Sequence, residues 1–118
     1  MEYLNKIEIR GVVGRAETST YGDSRVCKFS VATDYSYRDR ENTPIIETTW
    51  FTVNAWEGRN TPDLDQIQKG TWIKVTGRIR TNKFIGQDGF ERNAWDIQAG
   101  KVEILTREDD PMQPQRFL

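Results

Sequence analysis

The 118-residue sequence predicts an all-β domain: five strands closed into a small barrel, with one short helix between the third and fourth strands. Three observations carry this. Apolar residues recur at every second position in five separate segments, the period of half-buried strands. Only one stretch has helix punctuation, and it falls between the third and fourth of those segments. Glycines interrupt the first and last segments, where a sheet rolling into a barrel needs bulges or sharp bends. Strands do not alternate with helices, which argues against a parallel α/β sheet.

From Leu4 to Arg15 the odd positions Ile7, Ile9 and Val13 are apolar and Lys6, Glu8 and Arg10 lie between them, with breaks at Gly11 and Gly14. Tyr21-Gly22-Asp23-Ser24 reads as a turn. Arg25 to Asp34 alternates again, Cys27, Phe29 and Val31 against Lys28 and Ser30, so Cys27 is a small buried hydrophobe without a chemical role. Tyr35 to Pro44 is polar and turn-rich. It is either a solvated loop or a mobile arm that brings Tyr37, Arg38 and Arg40 to a ligand.

The third strand, Ile45 to Trp56, has two distinct faces. Phe51, Val53 and Ala55 suit a core, whereas Trp50, Thr52, Asn54 and Trp56 mix two indoles with two polar groups. Such a face is either a stacking platform or a surface covered by another element or subunit. Thr61 to Gly70 carries the helix signals: Thr61 as cap, Pro62 at the first helical position, Asp63 and Asp65 near the N-terminus, Lys69 near the C-terminus and Gly70 as the stop.

In the fourth strand Ile73, Val75, Gly77 and Ile79 share one parity, and Trp72, Lys74, Thr76, Arg78, Arg80, Asn82 and Phe84 the other. Lys74, Arg78, Arg80 and Lys83 occur here without an intervening acid. Asp88-Gly89 turns a hairpin tip that contains Ile85 and Phe90. Trp95, Ile97 and Ala99 begin the last strand, whose phase Gly100 resets to Val102 and Ile104. Residues 1–106 thus form one domain, and 107–118, with an acidic run and two prolines, a flexible tail. A five-stranded barrel with its helix between strands three and four is the layout of the OB fold, whose face binds oligonucleotides and oligosaccharides.

Composition narrows the chemistry. The formal net charge is −1 with 30% charged residues, so any basic site is a local segregation of charge. One cysteine and no histidine remove a disulfide framework, the usual zinc sites and histidine-based catalysis. No secretion signal or membrane-length apolar run is present, so a soluble, cytoplasmic protein without membrane partner, cofactor or metal is expected. A single nucleic-acid strand presents phosphates and exposed base faces, and a sequence-tolerant binder meets them with cations and aromatics. Tyr37, Trp50, Trp56 and Phe84 supply planes for stacking, and Arg38, Arg40, Lys74, Arg78, Arg80 and Lys83 supply charge. The bland account of those cations is a solvated strand face.

The same residues carry a resemblance. Asn5-Lys6 with Gly11 and Gly14, Tyr37-Arg38-Asp39-Arg40, Thr49-Trp50, and Gly77-x-x-Arg80-Thr81-x-Lys83-Phe84 occur in an order and spacing that resemble the bacterial single-stranded DNA-binding proteins of the homo-oligomeric OB-fold type, over roughly residues 5–105. The resemblance implies a non-enzymatic binder that protects single-stranded DNA in replication, recombination or repair, nucleoid-associated and assembled as a homotetramer or dimer. It places base stacking on Tyr37, Trp50, Trp56 and Phe84, and phosphate contacts on Arg38, Arg40, Arg80 and Lys83. Lys74 and Arg78 come from strand parity alone. The chain departs from the family where it has Tyr37 and Phe84 in place of tryptophan, across Glu57–Pro62, and in its tail. There Glu108-Asp109-Asp110-Pro111 only echoes the family's acidic tip, either recruiting replication and repair proteins or fraying as an ordinary terminus. Two other functions remain to compare: an OB-type protein-interaction or replication-restart module, and a metal-dependent nuclease using Asp63, Asp65, Asp109 or Asp110.

Overall fold

The computed structural model describes residues 2–106. The expected tail, 107–118, lies outside them. Five strands, β1 (Ile7–Tyr21), β2 (Ser24–Arg38), β3 (Pro44–Trp56), β4 (Trp72–Ile85) and β5 (Glu91–Leu105), close into a barrel in the order β1-β2-β3-β5-β4. This is the OB arrangement. Every neighbouring pair is antiparallel except β3 and β5, which run parallel and meet at only two residue pairs, Val53 with Ile97 and Asn54 with Gln98.

Strand periodicity fills the interior. Ile9, Val13, Cys27, Phe29, Val31, Val53, Ala55, Ile73, Val75, Ile97 and Val102 form the core, and Leu64 and Ile67 are buried with them. Burial pushes the Cys27 thiol above its ordinary pKa, as expected of a core residue. The two phase breaks read from glycines are bulges. On β1 Val13 pairs with Val31 and Arg15 with Ser30, leaving Gly14 as the extra residue, and on β5 Gly100 is skipped between Ala99 and Lys101.

Two expectations are revised. The helix is one turn of 3-10 helix, Leu64–Gln66, capped by Asp63 rather than Thr61, with the Asp63 side chain accepting from the Asp65 amide. Ile67 is already extended, so the stretch plugs the barrel with Leu64 and Ile67 without completing an α-helical turn. The second revision is length. β1 reaches Tyr21 and β2 reaches Arg38, so Tyr35–Arg38 belong to an antiparallel ladder that runs to the pair Arg38–Pro44. These ends lack an apolar alternation because a two-stranded ribbon projecting past the barrel is wet on both faces. What remains of the proposed arm is a turn folded about Asp39, whose carboxylate accepts from the amides of Glu41 and Thr43, with Asn42 in the left-handed region at φ 64°.

Gly11 marks the tightest approach of backbone to backbone. A Cβ there would lie 2.1 Å from the Ala32 carbonyl oxygen, so Gly11→Ala forces β1 away from β2. It should cost about 1–3 kcal/mol in urea unfolding. Gly58→Ala, where nothing lies within 4 Å, should leave the midpoint nearly unchanged.

Candidate nucleic-acid interface

The outward face of β3 is as its parity requires. Val53 and Ala55 are buried, while Trp50 keeps 60% of its surface exposed and Trp56 is also exposed. The two indoles sit six residues apart on one strand, roughly 20 Å at the rise of extended chain. Trp50 is seated by the β1 bulge: a Cβ on Gly14 would fall 2.4 Å from Cζ3 of its ring. Trp56 has the Tyr21 ring beside it, centroids 6.0 Å apart and planes tilted by 53°. Tyr37 lies on the β2–β3 ribbon, its ring 6.0 Å from that of Tyr35. Its hydroxyl donates to Glu47 Oε1 at 3.3 Å, and the Glu47 charge, with desolvation and this bond, raises the phenol's pKa. Phe84 is exposed near the end of the β4–β5 ribbon, opposite Arg92. All four aromatics predicted from the sequence are therefore exposed, Trp50 and Trp56 on the barrel face and Tyr37 and Phe84 on two projecting ribbons.

Trp95 and Tyr21 were not among the sequence candidates. Trp95 shares the parity of Ile97 and so reads as a core residue. The β4–β5 ladder continues well beyond the barrel wall, however, and at the pair Thr81–Trp95 the inward parity has already emerged into solvent, leaving Trp95 69% exposed. The signal that could have found it is the length of the ladder needed to reach the Asp88-Gly89 turn. Trp95 and Trp50 line a cleft of about 310 Å³ with Phe51, Thr52, Ile79, Asp96 and Ile97. The cleft lies where β3 and β5 diverge on the N-terminal side of their two pairs.

The cations are more constrained than the sequence suggests. Acids from neighbouring strands neutralise three of the four on β4: Lys74 pairs with Glu8 at 2.9 Å, Arg80 with Asp96 at 3.3 Å and Lys83 with Glu91 at 3.7 Å. Lys74, with 28% side-chain exposure, lies ten residues from Phe84, roughly 33 Å along the strand. Lys83 is on the opposite parity from Arg80 and Phe84 and so on the other face of the ribbon. Arg78 has no ion pair among the described residues and stands one step from Arg80 on the same face. Arg38 donates to the Asn42 carbonyl at 2.9 Å, and Arg40 is exposed at the turn.

Asp96 is the one buried charged residue of the described chain, with 8% exposure. Its Oδ2 accepts from Asn54 Nδ2 at 3.1 Å, from Arg80 Nη2 at 3.3 Å and from Asn82 Nδ2, and its Oδ1 from Gln98 Nε2 at 3.3 Å. Desolvation raises the carboxyl's pKa, but the hydrogen bonds and the charge of Arg80 together outweigh it, and the group titrates below the ordinary aspartate range. Elsewhere, Asp63 caps the 3-10 turn and Asp65 pairs with Arg25 at 3.0 Å. No group of His, Cys, Asp or Glu suited to a metal occurs among the described residues, and none of their helices is long and apolar enough to cross a membrane.

Fold and face define an OB barrel with an exposed aromatic surface and a thin set of cations, half of them paired with acids. Residues 4–105 match the model of the single-strand binding protein family. Relatives from Neisseria meningitidis named single-stranded DNA-binding protein are 33% identical over 104 residues, covering 86% of this chain and 60% of theirs. A mitochondrial single-stranded DNA-binding protein of Danio rerio is 26% identical over 112 residues, covering 87% of this chain and 77% of its own. The structure of the Plasmodium falciparum SSB complex with ssDNA superposes with a TM-score of 0.73 at 26% identity, covering 90% of this chain and 98% of that one. The chain belongs to the single-strand binding protein family, and it spans about 60% of the length of the Neisseria relatives.

The state of Asp96 gives a pH dependence with a definite sign. Because its folded pKa is depressed, its contribution to stability is present above the unfolded value of about 3.9 and lost as pH falls through the folded value. Urea midpoints between pH 7 and pH 2.5 should therefore fall more steeply for the wild type than for Asp96→Asn. Parallel acid limbs would show that Asp96 contributes nothing to the pH dependence.

Proposed function

We propose that this protein is a non-enzymatic binder of single-stranded DNA that tolerates many sequences and protects exposed strands in replication, recombination or repair. The observation that carries this reading is the exposed indole face of β3, with Trp50 seated on Gly14 and flanked by the two aromatic-bearing ribbons. A fold has no need of flat apolar rings in water, and bases with free π-faces fit them whatever their sequence. Stacking on Trp50, Trp56, Tyr37 and Phe84 supplies most of the affinity. Arg38, Arg40 and Arg78 take phosphates directly, and Arg80 and Lys83 do so in competition with their acids. Lys74 does so only in competition with Glu8. The protein acts in the cytoplasm, on the nucleoid, as a homo-oligomer, a tetramer or dimer, and the tail at 107–118 recruits replication and repair proteins.

Two measurements test this. Oligo-dT should quench tryptophan fluorescence, and Trp50→Ala should weaken binding by roughly 5- to 100-fold, corresponding to about 1–3 kcal/mol for one lost stack. Capture of a protein partner at high salt, with no response to any oligonucleotide at low salt, would replace the reading with that of an interaction module. The second measurement is salt dependence. Three cations without acid partners imply a shallow slope of log K against log salt, about −2 per protomer. A slope twice as steep would mean that the β4 ion pairs open on binding.

A further inference from the structure

Extended by one more pair, the register of β1 on β4, Ile9 with Val75 and Ile7 with Gly77, sets residue 5 opposite Ile79. The backbone ladder stops short of that pair, and the Asn5 side chain fills it. Its Nδ2 donates to the Ile79 carbonyl at 2.8 Å, and its Oδ1 accepts from the Ile79 amide at 3.0 Å. A side-chain amide offers the same donor and acceptor as a peptide group, so Asn5 adds one rung to the sheet without adding a strand. The rung falls where β4 and β5 leave the barrel. Ile79 pairs with Ile97, and Ile97 with Val53 is the last β3–β5 pair toward the hairpin tip. The Ile79–Ile97 pair is therefore the root of the projecting ribbon, flanked by β3 on one edge and by the Asn5 amide on the other.

We propose that Asn5 is a positioning residue of the single-stranded DNA site: its amide fixes the outer edge of the ribbon root and so sets where Arg78, Arg80 and Phe84 stand relative to the indole face of β3. This role rests on the reading of the preceding subsection. Arg78 and Arg80 are the immediate neighbours of the clamped residue, and Phe84 stands five residues beyond it, roughly 17 Å along extended chain. Over that lever a tilt of about ten degrees at the root carries the ring about 3 Å. On the β3 edge the root is secured by the Val53–Ile97 pair and by Asp96, which holds Arg80 and Asn82 to Asn54. On the other edge β1 has ended, and the two bonds of Asn5 take its place. Asn5 is exposed, so water competes for both bonds and they add little to global stability. Their effect lies in direction. With the amide gone, Ile79 turns to water and the ribbon tilts about its β3 edge. A strand that must meet Trp50 and Phe84 together then finds both in place for a smaller fraction of the time, and the apparent affinity falls by that fraction.

Hydrogen exchange read by mass spectrometry on the ligand-free chain is the first test. In Asn5→Ala, peptides covering 79–95 should exchange roughly two- to tenfold faster than in the wild type, the value of a lost hydrogen bond, while peptides from β2 and β3 keep their rates. Anisotropy of labelled oligo-dT is the second. Asn5→Ala should weaken binding by about two- to tenfold. That factor should shrink in a Phe84→Ala background and persist in a Trp56→Ala background, because Phe84 rides on the ribbon and Trp56 does not. Leu4→Ala, which truncates an exposed neighbour on the same segment, should change neither exchange nor affinity. Unchanged ribbon exchange in Asn5→Ala would overturn the proposal. So would faster exchange throughout the barrel, which would make Asn5 a general stability residue, or an equal loss of affinity in both backgrounds. An effect of Leu4→Ala as large as that of Asn5→Ala would overturn it too, by assigning the effect to the segment and not to the amide. If the wild type binds oligo-dT and Asn5→Ala binds it equally well, the reading of the preceding subsection stands without this role. No binding by the wild type would overturn both.

Discussion

The barrel closes through its shortest contact. β3 and β5 lie parallel and far apart in sequence, and their ladder has only two residue pairs, against the long antiparallel ladders on every other side. A parallel seam this short has few backbone hydrogen bonds, and side chains must reinforce it. Asn54, at the seam itself, donates to Asp96, and Asp96 holds Arg80 and Asn82 on β4, so one buried carboxylate ties three strands together across the seam. An ionised carboxyl is tolerated at this depth because several donors surround it. An acid left there alone would cost several kcal/mol.

That constraint shapes the surface as well as the core. Parallel strands that touch at two pairs and then diverge leave a cleft between them, lined by Trp50 on β3 and Trp95 on β5. The close packing of Gly14 beneath Trp50 then limits where the indole can sit, since the ring occupies the space a Cβ would take. The short seam thus leaves a cleft beside the buried carboxylate, and the β1 bulge at Gly14 fixes the indole on its β3 side.

Periodicity revealed the barrel, because alternation reports a strand with one dry face. Val53 and Ala55 against Trp50 and Trp56, and the phase change at Gly100, were readable for that reason. It could not reveal the ribbons. Where β1, β2, β4 and β5 run beyond the barrel both faces are wet, so Tyr35–Arg38 look like a loop and Trp95 looks like a core residue. Capping residues also misled: Thr61, Pro62 and Gly70 are good helix punctuation, but Leu64 and Ile67 supply too little buried stripe to support more than one tight turn. The cations were visible as residues and their partners were not. Glu8, Glu91 and Asp96 come from other strands, and cross-strand neighbours follow from register rather than from proximity in the chain.

Those pairings bear on how the surface works. A groove lined with free cations gains affinity from counterion release and attracts any polyanion, duplex included. Here most of the β4 charge is already balanced, so a phosphate must compete with an acid for Arg80 or Lys83, and the net electrostatic gain per contact is correspondingly small. The aromatics face no such competition; only their solvation is lost. On the proposed function, the energy of binding would therefore shift toward stacking, which a duplex cannot supply because its bases are already stacked on one another. For a surface with the proposed function, cross-strand acids that look like a handicap would act as a filter, holding down indiscriminate polyanion binding while leaving a preference for unpaired bases intact.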